Sequence, residues 1–204
     1  VLLHAPGVVA LFKPSGVTSD DLRASLSSAL WARGHDGRVS FVSRLDAPTS
    51  GVMPLALGGL KSGALQWLKA QFGARRVRKE YLCLCSGPSL GDVGSEGQID
   101  TPLLVAEGQL CEGPRATLSP LGKEARTRYR VLEIFLGSGR EDVLMMLLAM
   151  PLTGRQHQIR AHLAGIGRPL VGDELYGGTS KAGRVRCPRL FLHCWKVALL
   201  DLAG

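Results

Sequence analysis

The sequence predicts an α+β domain built on a mainly antiparallel, mixed β-sheet with flanking helices. Apolar segments of strand length outnumber the amphipathic helical segments and do not alternate regularly with them. Two of these segments are separated only by a short Gly-Ser-Gly-Arg turn, which is typical of an antiparallel hairpin. Hydrophobic residues make up 45% of the 204 residues, which is enough for a buried core. We therefore expect one domain over residues 1–204.

Each element follows from a local pattern of apolar and turn-forming residues. Helices are predicted by apolar positions three and four apart over 19–33, where Ser19 is the expected N-cap, over 59–72 and over 155–166. Strands are predicted over 8–16 (ending in a Pro-Ser-Gly turn), 38–42, 51–57, 79–87, 126–136, 141–150 and 189–202. Pro54 cannot donate to a ladder, so its strand is expected at an edge or a bulge. Residues 88–122, rich in Gly, Pro and Ser, predict a surface excursion with at most one short strand.

The charge distribution points to a polyanionic partner. The formal net charge is +8, and much of the excess lies in two runs, residues 74–79 and 183–189. Two basic runs on one domain favour phosphate contact, most often with nucleic acid. Aromatic residues are only 5% of the chain, which argues against a stacking platform for single strands.

The cysteines and the apolar runs narrow the expected compartment without deciding it. Five cysteines with no second close pair predict reduced core thiols and no zinc site. No apolar run is long enough to span a bilayer, and the start at Val1 is unlike a signal peptide. We expect an intracellular monomer, with the cytoplasm and an organelle both open.

Two segments carry the densest polar chemistry. Arg44 and Asp46 lie in a polar turn between two segments that both look buried. The second segment is residues 151–178. In it, Thr153 and Gln156 fit a capping box, T-x-x-Q, which would place Arg155 in the first turn of the third helix. A cation there opposes the helix dipole, so it predicts an acidic or phosphate partner, and Asp46 is a candidate.

The two histidines of the third helix do not form a metal site. His157 and His162 are five residues apart, about 140° around a helix, so one ion cannot bind both. A helical metal pair would be four apart. We expect no metal in this protein, and packing or RNA contact for these side chains.

The motif SRLDAPTSG, residues 43–51, resembles the H-R-L-D-x-x-T-S-G motif of the RluA family of pseudouridine synthases. Residues 152–177 resemble that family's L-x-T-G-R-T-H-Q-I-R-x-H segment and its G-D-x-x-Y-G continuation. Further matching blocks follow the family's order: LFKPSG, RKEYLCLCSG, EARTRYRVL and RLFLHCWKV. The resemblance implies the pseudouridine synthase fold, with a central RNA-binding cleft and no metal or cofactor.

The resemblance also implies roles for single residues. Asp46 matches the catalytic aspartate, and Arg44 matches the arginine that enters the helical stack where the target base flips out. Tyr81 matches the tyrosine packed on that base, and Arg155 matches the arginine that pairs with the catalytic carboxylate. The expected RNA contacts, to ribosomal or transfer RNA, are Arg44, Arg75, Arg76, Arg78, Lys79, His157 and Arg160.

Two alternatives stay open at this stage. The first is a catalytically inactive RNA-binding or ribosome-assembly scaffold derived from such an enzyme. The second is a glycoside-type hydrolase, which normally needs two carboxylates flanking the bond. No convincing second carboxylate accompanies Asp46 in the sequence.

Overall fold

The computed structural model describes residues 2–106, 115–136, 143–179, 181–182 and 185–200. Its helices are α1 (Ser19–Trp31), α2 (Gly63–Gly73) and α3 (Gln158–Gly165), with a short 3-10 helix at Glu174–Tyr176. The first strands are β1 (Leu3–Ala5), β2 (Val8–Lys13), β3 (Val39–Phe41), β4 (Ser50–Leu57), β5 (Arg78–Ser86) and β6 (Glu96–Ile99). The others are β7 (Leu103–Ala106), β8 (Arg115–Leu118), β9 (Thr127–Leu136), β10 (Val143–Pro151), β11 (Lys181–Ala182), β12 (Val185–Arg186) and β13 (Leu192–Ala198).

The chain divides into two compact units. Unit 1 comprises Val1–Lys79 with Cys194–Gly204, and unit 2 comprises Glu80–His193. The predicted α+β class with a mainly antiparallel sheet is confirmed, because strand pairs β1–β2, β2–β4, β3–β4, β5–β10, β9–β10 and β6–β9 are all antiparallel.

Unit 1 packs α1 and α2 on a sheet in which β4 has neighbours on both sides. Leu11 and Leu55 are buried under apolar side chains of α1, while Leu65 and Leu68 of α2 are buried with Ala56. The predicted edge position of β4 is wrong, because β4 lies between β2 and β13. The expected bulge is also missing from its ladder with β2, which runs without a register shift through the Ala10–Pro54 pair. Strand β3 pairs with residues 55–57 of β4 and does not require an N–H from the proline.

Unit 2 is a sheet in the order β5–β10–β9–β6 with a separate β7–β8 hairpin. The predicted strands 126–136 and 141–150 pair as expected, and their turn at 137–140 lies outside the described residues. The described part of residues 88–122, which leaves out 107–114, holds three strands where at most one was expected. Leu103 and Ala116 of the hairpin are buried with Ala161 of α3, so this segment contributes to the core of the unit.

Candidate active site

The loop between β3 and β4 carries Asp46 and is held from the start of α1. The Ser19 hydroxyl donates to the Leu45 carbonyl (3.1 Å) and accepts from the Leu45 N–H (3.3 Å). Ser15 Oγ donates to the Pro48 carbonyl at 2.7 Å. Ser19 is buried inside unit 1. The N-cap of α1 is Thr18, so the prediction of Ser19 as N-cap is wrong. Backbone on both sides of Asp46 is thereby fixed.

A buried lysine lies beneath this loop. Lys13 is 0% exposed, and its ammonium donates to the carbonyls of Pro14 (2.9 Å), Val17 (2.7 Å) and Ala47 (3.0 Å). Burial lowers the pKa of Lys13, and attraction to the Asp46 carboxylate opposes part of that lowering. The lysine therefore anchors the residue after Asp46 and places a positive charge in its neighbourhood.

Asp46 itself starts a turn that leaves its side chain half-buried. The Thr49 N–H donates to the Asp46 carbonyl at 3.0 Å, which closes the turn before β4 begins. Arg44, two residues earlier, is exposed. Gly51 follows at φ +133°, and a Cβ there would collide with the Cys194 backbone, so this position requires glycine. The motif thus presents one half-buried carboxylate and one outward arginine on a rigid turn.

Tyr81 and Arg155 lie toward the same end of the unit 2 sheet. Tyr81 is 7% exposed near the start of β5 and pairs with Ala149 near the end of antiparallel β10. Arg155 follows a few residues after β10 ends at Pro151. Both residues thus belong to the same end of the unit 2 sheet, and their joint catalytic role stays a prediction.

The turn that carries Arg155 differs from the prediction. The third helix begins at Gln158, with His157 as a left-handed N-cap (φ 51°) that makes no side-chain cap. The capping box is wrong: Thr153 Oγ1 donates to Gln158 Oε1 at 2.7 Å, and Gln156 is exposed. Arg155 consequently precedes the helix, so the dipole argument for its acidic partner does not apply. The capping-box pattern failed because it considers only Gln156, whereas the Thr153 hydroxyl binds Gln158, two residues further on.

The Arg155 side chain is held within its own unit. Its Nε donates to the Glu124 carbonyl at 2.9 Å. Asp46 belongs to unit 1 and Arg155 to unit 2. The ion pair between them stays a prediction.

The basic run after α2 is largely on the surface. Arg75, Arg76 and Arg78 are exposed, as expected for phosphate contacts. Lys79 is half-buried, with its ammonium 5.9 Å from the centroid of the Phe72 ring. Burial lowers the pKa of Lys79. The three arginines are thus the freer candidates for phosphate contact.

Arg160 is buried, whereas a residue that contacts RNA must reach the surface. It is 5% exposed, and its guanidinium binds the Asp173 carboxylate through Nε to Oδ2 (2.8 Å) and Nη2 to Oδ1 (2.7 Å). The same guanidinium lies 5.1 Å from the Tyr176 ring centroid. Its charge therefore serves a buried pair inside unit 2, and we remove it from the proposed RNA contacts. His157 is half-buried, with Nδ1 3.1 Å from the Tyr176 hydroxyl.

Sequence reasoning missed several residues that organise the site. Lys13, Gln158 and Asp173 are buried polar side chains with bonds to distant backbone or charge. Lys13 could have been indicated by its position inside an apolar strand segment. Asp173 could have been indicated by the Asp-x-x-Tyr-Gly turn that follows the third helix. Two of the partners of Gln158, Arg126 and Thr127, lie some thirty residues away, so no local signal indicates those bonds.

Within the described residues, no group of three His, Cys, Asp or Glu side chains is placed to hold a metal ion. No helix in the same part of the chain is long and apolar enough to cross a membrane. Burial raises the pKa of Cys83 well above its usual value and that of Cys85 to about 12, so both are protonated core thiols.

Comparison with known proteins identifies relatives over most of the chain. The sequence profile described as RNA pseudouridylate synthase matches residues 7–165. A ribosomal large subunit pseudouridine synthase D from Nitrosomonas europaea is 38% identical over 168 residues, which span 79% of this chain and 44% of that protein. The chain thus covers less than half of this relative. The dual-specificity RNA pseudouridine synthase RluA of Escherichia coli K12 is 33% identical over 95% of this chain and 83% of its own length.

A solved structure gives the same result for the fold. Human RNA pseudouridylate synthase domain containing 1 superimposes with a TM-score of 0.77 at 26% identity. The match covers 99% of this chain and 78% of the human one.

Proposed function

This chain belongs to the RNA pseudouridylate synthase family, with the RluA resemblance confirmed, and from that membership we propose that it isomerises uridine to pseudouridine in RNA. The observation that carries the proposal is the family match through the loop of Asp46, which the fold holds rigidly from Lys13, Ser15 and Ser19. In this proposal Asp46 is the catalytic carboxylate, and Tyr81 and Arg155 are the other two catalytic residues.

The reaction is an isomerisation, so no oxidant, reductant or second substrate is needed. The bond between uracil N1 and ribose C1′ breaks, the base rotates, C5 bonds to C1′, and the C5 proton leaves while N1 gains one. An ionised carboxylate serves as nucleophile or base at the ribose, and Asp46 supplies it. Tyr81 is the proposed base for the C5 proton.

The target base must leave a stacked helix before this chemistry can occur. Enzymes that act on a base extrude it into a pocket, at a cost of a few kcal/mol for unstacking. The exposed Arg44, two residues from Asp46, is suited to fill the vacated space. A cationic planar side chain can stack on the neighbouring bases and contact phosphate at once.

RNA is the proposed partner, bound through phosphate contacts that include the exposed Arg75, Arg76 and Arg78. Ribosomal and transfer RNA are both candidate substrates. We propose a monomer acting inside the cell, in the cytoplasm or an organelle, without metal or cofactor.

The deciding experiment replaces Asp46 with asparagine, which keeps the shape but removes the anion. RNA carrying tritium at uridine C5 releases the label when the C5 proton leaves, so label release measures turnover. We expect Asp46→Asn to abolish release while RNA affinity and thermal stability stay near wild type. Asp92→Asn, at an exposed aspartate in unit 2, is the matched control and should keep full turnover.

The outcomes separate the proposed enzyme from the alternatives. Turnover above a trace in Asp46→Asn would show that another group is the catalyst. A wild-type chain that binds RNA and releases no label from any ribosomal or transfer RNA would instead support the inactive scaffold.

A further inference from the structure

A single buried glutamine ties the turn of Arg155 to the start of β9. Gln158 is 4% exposed, and its amide nitrogen donates to the Arg126 carbonyl (2.8 Å) and to Thr127 Oγ1 (2.9 Å). Its amide oxygen accepts from Thr153 Oγ1 (2.7 Å) and from the Arg155 N–H (3.0 Å). A glutamine amide has two N–H donors and two acceptor lone pairs. Every one of the four is used here.

The orientation of this amide is determined by its neighbours. His162 Nε2 lies 2.9 Å from the Thr101 carbonyl, which can only accept, so Nε2 carries the hydrogen. Burial lowers the pKa of His162, so the ring is neutral and its Nδ1 accepts from Thr127 Oγ1 at 2.9 Å. The Thr127 hydroxyl then accepts from Gln158. A flipped amide would set two acceptors against each other, at about 1–3 kcal/mol for a buried group left unsatisfied.

The network closes on both sides of the turn. Thr153 Oγ1 accepts from the Arg126 N–H at 2.9 Å while it donates to Gln158. Residues Thr153 and Arg155 are therefore both fixed to one amide and, through it, to the first residues of β9. The long Arg155 side chain leaves this fixed backbone and makes its own bond to the Glu124 carbonyl at 2.9 Å.

We infer that Gln158 is a positioning residue for the reaction: its amide sets the backbone from which Arg155 reaches the substrate. The inference rests on the proposed function, in which Arg155 acts at the reacting site. A displacement of about 1 Å in such a group can lower turnover about 10²-fold. Gln158 touches no substrate in this account and acts only through Arg155.

The test uses Gln158→Leu, which removes all four bonds at similar volume. We expect kcat to fall about 10²-fold, with KM little changed. In an Arg155→Ala background the same change should cause no further loss of kcat, because both substitutions then remove one function. The melting temperature should fall in either case, because buried polar groups lose their partners. A merely structural glutamine would instead lower kcat by the same factor in the wild-type and Arg155→Ala backgrounds.

A matched control is available in unit 1. Gln71 is also buried, and its amide donates to the Leu200 carbonyl (3.2 Å) and accepts from the Leu200 N–H (3.4 Å). Gln71→Leu should destabilise the protein and leave kcat of the folded fraction unchanged.

If Gln158→Leu does not fold, Thr153 supplies the second test. Thr153→Val keeps the shape of the side chain and loses both hydroxyl bonds, so kcat should fall. Thr153→Ser keeps the hydroxyl, so kcat should stay near the wild-type value. Normal kcat in folded Gln158→Leu, or equal kcat in Thr153→Val and Thr153→Ser, would overturn the role of the network. Absence of turnover in the wild-type chain would instead overturn the proposed function, and this role with it.

Discussion

Replacing Arg160 with methionine keeps a flexible stem of similar width and removes the guanidinium from the interior of unit 2. The Asp173 carboxylate would then lose two hydrogen bonds, of 2.8 and 2.7 Å, at a side chain only 1% exposed. The Arg160 side chain is itself 6% exposed. Water therefore cannot replace the lost donors without opening the core.

Breaking such a buried pair from one side costs about 3–5 kcal/mol, because the remaining charge stays buried without its partner. At about 2–4 °C per kcal/mol for a chain of this size, the melting temperature should fall by about 6–20 °C. Replacing both partners, as Arg160→Met with Asp173→Leu, should recover much of that loss, since no unpaired charge remains.

Urea unfolding followed by far-ultraviolet circular dichroism measures this loss. Tryptophan fluorescence is unsuited, because Trp31, Trp67 and Trp195 all belong to unit 1. Arg23→Met is the control: its pair with Asp20 is 3.2 Å long with side chains 52% and 64% exposed. Such a pair contributes about 0–1 kcal/mol. Equal destabilisation by Arg160→Met and Arg23→Met would refute the reasoning.

Two further predictions concern the loop of Asp46 and the basic run. Lys13→Met should destabilise the protein by about 1–3 kcal/mol for each carbonyl left without a donor, measured by urea unfolding against Lys61→Met, an exposed lysine. Folding lowers the pKa of Lys13 below its ordinary value of 10.5, so between these two pKa values the unfolded chain binds more protons than the folded chain. The free energy of unfolding therefore rises with pH in that window. This rise should be absent in Lys13→Met. Charge reversal at Arg75, Arg76 and Arg78 should weaken RNA binding and flatten the slope of log affinity against log salt by about 2–3. Reversal at Arg23, Arg33 and Arg38 changes the net charge equally, and a similar flattening there would mark both effects as non-specific.

Patterns that repeat over short distances were predictable from the sequence. Two apolar segments joined by a short Gly-Ser-Gly-Arg turn identified β9 and β10 as an antiparallel pair, and the spacing of Leu65 and Leu68 identified the buried side of α2. The Arg-Leu-Asp motif between two apolar segments identified the loop of Asp46. These features depend on residues within a few positions of one another, and burial of an apolar face follows directly from its period.

The tertiary structure alone decided which partners the buried polar groups bind. Gln158 bonds to Arg126 and Thr127, and Lys13 to Ala47, across separations of about thirty residues that no local pattern encodes. The sequence suggested a capping box at Thr153, but a buried amide with four available bonds competes successfully with a cap open to water. The sequence therefore determined the three helices, most of the longer strands and the family motif that they carry, but not the strands within residues 88–122. The fold determined how the residues around that motif are held, because a buried hydrogen bond depends on proximity in space and not along the chain.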